Sequence, residues 1–217
     1  MAIKHEIERL RGLLPAGVTL VAVSKTHPDE AIMEAYRAGQ RIFGESRPQE
    51  MAAKAARLPQ DVEWHLIGHL QSNKVRLVVP FATMVHSVDS PRLLEVIDRE
   101  ALRAGRVVDL LLEVHIAAEE SKHGWPEDKL IDYISSCNWQ SFKNIRIRGL
   151  MGIATNTDDC EQVRGEFTAL RGLFERLQPA LPDYFDVLSM GMTSDYPVAV
   201  ECGATMVRIG SQIFGAR

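Results

Sequence analysis

Apolar runs alternate with amphipathic segments along the chain. The run from Val18 to Ser24 is rich in β-branched residues, which is typical of a buried strand, and a helical pattern follows from about Pro28 to Gly39. The same succession recurs and predicts eight strands, at residues 18–24, 41–44, 63–68, 83–88, 107–115, 145–151, 185–188 and 205–209. The other helical patterns lie at about 2–14, 47–57, 71–79, 91–105, 126–137, 158–178 and 195–202.

Strands that alternate with helices must pair in parallel, because a parallel pair needs a crossover connection. Eight such strands favour a closed (β/α)8 TIM barrel of the α/β class over an open sheet. The helix predicted over 2–14 precedes the first strand and is therefore an addition to the barrel. We find no linker rich in Gly, Ser or Pro, so the pattern predicts a single domain over 1–217.

Composition narrows the class of protein. The chain is 46% hydrophobic and 25% charged, with a net charge of −4, which gives no reason to expect nucleic acid or an anionic membrane as a partner. Its cysteines, Cys137, Cys160 and Cys202, form no CxxC pair, and no metal-ligand spacing is found. With no apolar run of 18 residues and no signal sequence, we expect a cytoplasmic protein.

Lys25 places an amine where the first predicted strand ends. The carboxyl ends of parallel strands are where α/β folds carry their chemistry, and burial there favours the neutral amine, which can attack a carbonyl. A surface lysine extending its stem from a strand end is the alternative.

Small polar segments end the last two predicted strands. In many barrels these ends form a phosphate site from backbone N–H groups, although ordinary helix capping and turns explain such segments equally well. The candidate phosphate-binding residues are Ser189, Gly191, Met192 and Ser194 after the seventh strand, and Gly210 and Ser211 after the eighth.

An amine and a phosphate pocket at neighbouring strand ends suit a ligand with both an aldehyde and a phosphate, such as pyridoxal 5′-phosphate (PLP). Arg208 ends the last strand, where it either faces the pyridine nitrogen or pairs with phosphate or a surface carboxylate. His65 lies on the third strand and either lines the pocket or is a hydrogen-bonded core histidine.

Several ordered motifs make the chain similar to the pyridoxal phosphate homeostasis proteins, relatives of the barrel domain of alanine racemase. The resemblance runs from about residue 1 to 217. Its motifs are Val21-Ala22-Val23-Ser24-Lys25-Thr26, Phe43-Gly44-Glu45-Ser46, Trp64-His65-Leu66-Ile67-Gly68, Leu70-Gln71-Ser72-Asn73-Lys74, Ser121-Lys122-His123-Gly124, Arg148-Gly149-Leu150-Met151, Ser189-Met190-Gly191-Met192-Thr193-Ser194-Asp195 and Met206-Val207-Arg208-Ile209-Gly210-Ser211 with the residues up to Gly215.

The resemblance implies that Lys25 forms a Schiff base with PLP, that Arg208 faces the ring nitrogen, and that Gly210, Ser211 and the segment Ser189–Ser194 hold the phosphate. Ser46 stands where the family usually has Asn, so a shorter side chain would meet the cofactor there. His69 replaces a usual Pro and either adds a titratable group near the barrel mouth or, as we expect, is a solvent-exposed loop histidine.

Three functions fit these residues. The first is a PLP carrier or buffer in intracellular homeostasis that passes the cofactor to client enzymes and has no strong activity of its own. The second is a PLP-dependent amino-acid racemase, which needs a second acid/base that we do not find, although Tyr196 remains a candidate. The third is a phosphate-binding barrel without a Schiff base. Since the second domain of the racemases is missing, we expect a monomer.

Overall fold

The computed structural model describes residues 2–119, 122–136 and 139–215. Met1, Ser121, Cys137 and the last two residues, which the sequence predictions cover, lie outside the described residues. The described strands are β1 (Thr19–Val23), β2 (Ile42–Glu45), β3 (Glu63–Leu66), β4 (Ala82–Val88), β5 (Val108–Val114), β6 (Ile145–Gly152), β7 (Val187–Ser189) and β8 (Met206–Ile209). The described helices are α1 (Ala2–Leu13), α2 (Asp29–Arg37), α3 (Pro48–Ala55), α4 (Val75–Val78), α5 (Pro91–Arg103), α6 (Glu127–Ser136), α7 (Cys160–Leu177), α8 (Tyr196–Glu201) and α9 (Ser211–Phe214).

The strands form a closed parallel barrel in chain order, β1 to β8, which confirms the predicted (β/α)8 fold. β1 closes the barrel against β8, where Val21 lies opposite Arg208. The predicted additional helix is α1, which buries Ile7 and Leu10 and contacts α2 and α9. No helix in the described part of the chain is both long and apolar enough to cross a membrane.

Side chains alternate across the barrel wall. In β1, Leu20 and Ala22 join the large core between the strands and the surrounding helices, whereas Val21 points into the barrel. Six buried apolar side chains pack together in this interior, with Ile42 and Ile153 against them: Val21, Met84, Leu111, Met151, Val187 and Met206. The barrel is therefore solid below its mouth, and chemistry is confined to the ends of the strands.

Several boundaries differ from the sequence predictions. β3 stops at Leu66 because the chain passes close to the preceding loop: a Cβ at Gly68 would lie 2.4 Å from the Ser46 carbonyl oxygen. β7 begins only at Val187, since the N–H of Phe185 donates to the Pro182 carbonyl in a turn.

Two short helical segments also differ. The helix predicted over 71–79 divides into a 3-10 turn, Ser72–Lys74, and α4. The sequence pattern does not predict α9, whose four residues are too few to show a helical period.

Candidate functional site

A cavity of about 460 Å³ lies at the carboxyl ends of the barrel strands. Seven of the predicted site residues line it: Lys25, Ser46, Met192, Ser194, Arg208, Gly210 and Ser211. Its other lining residues are Val23, His27, Ile67, Ile153, Thr193 and Gly215. The predicted amine and the predicted anion-binding segments therefore share one cavity, and Lys25 is half-buried in its wall.

Hydrogen bonds of both neighbouring residues hold Lys25 in place. On one side, the Ser24 hydroxyl donates to Glu45 Oε1 at 2.6 Å. On the other, the Thr26 N–H donates to Glu50 Oε1 at 2.6 Å, and Thr26 takes the left-handed backbone conformation with φ of 67°. A β-branched residue rarely adopts this conformation, so the anchoring carboxylate holds a strained turn directly after the lysine.

A buried ammonium group joins these contacts. Lys54 Nζ donates to the Ser24 carbonyl, to Glu45 Oε1 and to Glu50 Oε1, each at 2.8 Å. Burial raises the pKa of Glu45 despite the hydrogen bonds from Lys54 and Ser24. Burial would also raise the pKa of Glu50, but its hydrogen bonds from Lys54 and Thr26 outweigh this and lower it.

Arg208 projects from β8 and is only 4% exposed. One terminal nitrogen donates to the Ser189 carbonyl at 2.9 Å and to Ser189 Oγ at 2.6 Å, and the other donates to the Gly152 carbonyl at 2.9 Å. Burial lowers the pKa of Arg208 to about 10, which still leaves a cation at neutral pH. The guanidinium is therefore a fixed positive group in the cavity wall.

A chain of polar side chains continues from Arg208 through the barrel interior. Ser189 Oγ lies 3.1 Å from His86 Nδ1, and His86 Nε2 lies 3.0 Å from His65 Nδ1. Burial lowers the pKa of His65 to about 3, and burial with the neighbouring His65 and Arg208 lowers that of His86 as well. Both imidazoles are therefore neutral.

The direction of these hydrogen bonds follows from Arg208, which can only donate. When the Ser189 hydroxyl accepts from Arg208 and donates to His86 Nδ1, His86 Nε2–H donates to His65, and every proton between Arg208 and His65 has an acceptor. The neutral histidines thus orient the serine, and the serine orients the arginine.

Three predicted site residues take other positions. His65 is a hydrogen-bonded core histidine and does not line the cavity. This is one of the two roles that the sequence left open for it. Ser189 is likewise fully buried and contacts Arg208. Gly191 has φ of 92° and accepts the Arg208 N–H, while a Cβ there would lie 2.6 Å from the Ala199 Cβ, so the position requires glycine.

The two loops after β7 and β8 meet in the wall of the cavity. Gly210 follows β8, and its N–H points towards Thr193 Oγ1 at 3.4 Å. A Cβ at Gly210 would lie 3.1 Å from the Val23 carbonyl oxygen, so glycine allows this loop to approach the end of β1. Hydroxyl groups and main-chain amides are thereby concentrated near Lys25.

Sequence reasoning missed some residues of the site. His27 follows Lys25 closely and stacks on Phe214 of α9, with ring centroids 4.9 Å apart. His86 is the bridge between His65 and Ser189, and its signal was a single histidine within an apolar strand. Ile67 and Ile153 give the cavity apolar walls, but apolar residues after strands carry no distinctive pattern.

The sequence of this barrel is similar to that of a known protein family and its curated members. The family described as "Alanine racemase, N-terminal domain" matches residues 1–217. The chain is 39% identical to the pyridoxal phosphate homeostasis protein of Pasteurella multocida, covering 99% of this chain and 93% of that protein. It is 40% identical to the protein so named from Vibrio alginolyticus, covering 97% of this chain and 91% of that protein.

A solved structure agrees with these relatives. PipY of Synechococcus elongatus PCC7942 is 43% identical and aligns over 98% of this chain and all of its own, with a TM-score of 0.92 without PLP and 0.90 with PLP bound. The fold, the lysine at the first strand end and these similarities define an alanine racemase-like barrel. More narrowly, the chain belongs to the family of pyridoxal phosphate homeostasis proteins.

Proposed function

We propose that this protein binds PLP reversibly in the cavity at the strand ends and acts in intracellular PLP homeostasis as a carrier or buffer of the cofactor. The observation that supports this most is the shared cavity of Lys25, Arg208 and the loops after β7 and β8. Its volume of about 460 Å³ falls in the usual range for small-molecule sites, about 300–1,000 Å³.

The residues present fit the group. PLP supplies an aldehyde carbon, which a neutral amine attacks reversibly, and a phosphate dianion. Lys25 offers the amine, held between the anchored residues Ser24 and Thr26. The hydroxyls of Ser194 and Ser211 and the amide of Gly210 line the same cavity and are the groups that would hold the phosphate.

Arg208 favours a carrier over an enzyme. Because a guanidinium can only donate hydrogen bonds, Arg208 beside the ring nitrogen would keep that nitrogen unprotonated. A neutral ring withdraws electrons weakly and supports demanding carbanion chemistry poorly. The hydrogen bonds to Ser189 and Gly152 hold Arg208 in one orientation in the cavity wall, which supports this role.

The racemase alternative requires a second acid/base on the face opposite Lys25. Among the described cavity-lining residues, the titratable side chains are Lys25, His27 and Arg208. His27 lies two residues from Lys25 on the same loop, and Tyr196 does not line the cavity.

In this proposal, residues 1–217 act as one PLP-binding domain in the cytoplasm. The protein acts as a monomer and makes transient contacts with PLP-dependent client enzymes.

Borohydride reduction followed by peptide mapping tests the binding site. We expect the protein as purified to absorb in the visible range, to lose this absorbance on reduction, and to carry the adduct on Lys25. Lys25→Ala should abolish the adduct, whereas Lys129→Ala, at an exposed lysine of α6, should leave it unchanged. An adduct elsewhere, or none, contradicts the proposal, and robust turnover of L- or D-amino acids by the holoprotein would favour the racemase.

Replacement of Arg208 tests its place beside the ring. In Arg208→Ala we expect PLP to bind more weakly but not to be lost, since the phosphate contacts persist. The visible absorbance maximum should shift because the ring nitrogen loses its cationic neighbour. Arg208→Lys, which keeps the charge but loses the planar fork, should shift it less. Unchanged affinity and spectrum in Arg208→Ala would contradict this placement, provided that circular dichroism shows a folded protein.

A further inference from the structure

A second cavity, of about 240 Å³, adjoins the first at the barrel mouth and shares Ile67 and Ile153 with it. Two of its lining side chains, His69 and His123, come from the loops after β3 and β5. Neither takes part in the proposed PLP site. Both side chains are exposed, and their imidazole rings stack with centroids 4.0 Å apart and an interplanar angle of 15°.

Asp89, from the loop after β4, completes a cluster with these histidines. One ligand atom from each of His69, Asp89 and His123 lies within 4.8 Å of the other two, and His69 Nδ1 is 3.4 Å from Asp89 Oδ2. Ligand atoms around a tetrahedral zinc ion, with bonds of about 2.1 Å, are about 3.4 Å apart. The His69–Asp89 pair already has this separation, and rotation of exposed rings can bring His123 to it.

Glu113 gives an independent indication of a ligand. It lines the same cavity, is only 7% exposed, and its Oε2 accepts no hydrogen bond from the described residues. A buried carboxyl oxygen without a partner is costly, so a cation in the cavity would stabilise the charged form of this group. This oxygen lies deeper than the three clustered groups and is not needed as a ligand.

The surrounding charges permit a cation. Lys122 also lines the cavity, but its amine donates to the Ala154 carbonyl at 2.6 Å and pairs with Glu119 at 3.0 Å. Arg208 is near enough to Glu113 to lower the pKa of that carboxyl group, but the guanidinium donates its hydrogen bonds to Ser189 and Gly152. Glu113 Oε2 therefore faces the cavity without a lysine partner among the described residues, and Asp89 lies beside it in the cluster with the two histidines.

We propose that His69, Asp89 and His123 bind one divalent transition-metal ion, of which Zn²⁺ is the best match. Two imidazoles and one carboxylate suit zinc and its neighbours, whereas Mg²⁺ and Ca²⁺ prefer oxygen ligands throughout. Three protein ligands leave one coordination position open. Because the site uses no residue of the PLP site, it stands or falls separately from the proposed function.

Calorimetric titration of the untagged full-length protein with ZnCl₂ tests this site. We expect one equivalent to bind, and His69→Ala, His123→Ala and Asp89→Asn each to weaken binding at least tenfold. His5→Ala, at an exposed histidine of α1, is the matched control and should bind as the wild type does. Zn²⁺ should raise the melting temperature of the wild type and of His5→Ala, but not of His69→Ala.

Two further measurements distinguish this site from zinc binding elsewhere on the protein. Lys25→Ala should retain Zn²⁺ binding in full, since bound PLP takes no part. Co²⁺ used as a spectroscopic probe should give visible d–d bands that His123→Ala abolishes. Three results would each overturn the proposal. They are a wild type that binds no stoichiometric Zn²⁺, variants His69→Ala and His123→Ala that bind it as tightly as the wild type, and a Lys25→Ala variant that no longer binds it.

Discussion

Replacing Lys54 with methionine should destabilise the protein by about 3–5 kcal/mol, the usual cost of removing one partner from a buried ion pair. Lys54 is 4% exposed, and its ammonium donates to Ser24, Glu45 and Glu50 at 2.8 Å. Methionine has a similar length and fills the same space, so the packing around the stem is kept. The loss therefore reports on the charged hydrogen bonds.

The size of this loss of stability depends on how well Glu45 and Glu50 are solvated or neutralised once the Lys54 ammonium is gone. Three hydrogen bonds to a charged group, at about 1.5–3 kcal/mol each, set an upper bound near 9 kcal/mol. Glu50, whose side chain is 21% exposed, can regain water, while Glu45, at 0%, cannot. Burial already raises the pKa of Glu45, so it can take up a proton, which limits the cost to about 3–5 kcal/mol.

Urea and thermal unfolding followed by circular dichroism measure this loss, and we expect the melting temperature to fall by roughly 6–20 °C. Combination with Glu45→Gln should recover part of the stability, because no buried charge then remains unpaired. Below the unfolded pKa of Glu45, about 4.3, the penalty should shrink, since Glu45 is then protonated in both states.

Lys4→Met is the matched control. Lys4 lies on α1 with its side chain 63% exposed and 3.8 Å from Glu8, and its loss should cost no more than about 0.5 kcal/mol. A loss below about 1 kcal/mol in Lys54→Met, or a double variant with Glu45→Gln that is no more stable than the single one, would refute the reasoning about this network.

Two other predictions concern the barrel interior. Burial lowers the pKa of His65 to about 3, so the unfolded chain takes up this proton first as the pH falls. Stability should therefore drop between about pH 6.5 and 3 by roughly 4–5 kcal/mol more in the wild type than in His65→Gln, and parallel pH profiles in urea denaturation would contradict this. Gly149→Ala should prevent stable folding, because its Cβ would lie 1.7 Å from the Val187 carbonyl oxygen, whereas Gly172→Ala, with open space around it, should not destabilise the protein. Expression and thermal melts of the two variants measure this difference.

Much of the architecture was predictable because its signal is local. Each strand is a short apolar run, and each helix carries its own period, so the alternation alone indicates eight parallel strands. Strand ends in such a barrel share one rim, which is why Lys25 and the segments around Ser194 and Ser211 could be assigned to one cavity. The role of each residue within that rim was harder to predict.

His65 illustrates the difference. The sequence left it open between the pocket and the core, and the deciding partner is His86, 21 residues away on the next strand. Likewise, nothing local to Lys54 indicates that its amine lies between Glu45 and Glu50 and contacts the Ser24 carbonyl, next to Lys25. Register and side-chain direction decide such contacts, and a shift of one residue would send each side chain to the other face.

The sequence by itself determined the order of strands and helices, the closed parallel barrel, and the meeting of an amine with small polar loops at one rim. Local periodicity encodes the strands and helices, and the parallel arrangement of the strands brings their carboxyl ends to one rim. Only the tertiary structure decided that neutral histidines hold Arg208 through Ser189, and that His69, Asp89 and His123 converge from three loops. Contacts between distant segments depend on how the whole barrel closes, and no stretch of chain carries that information alone.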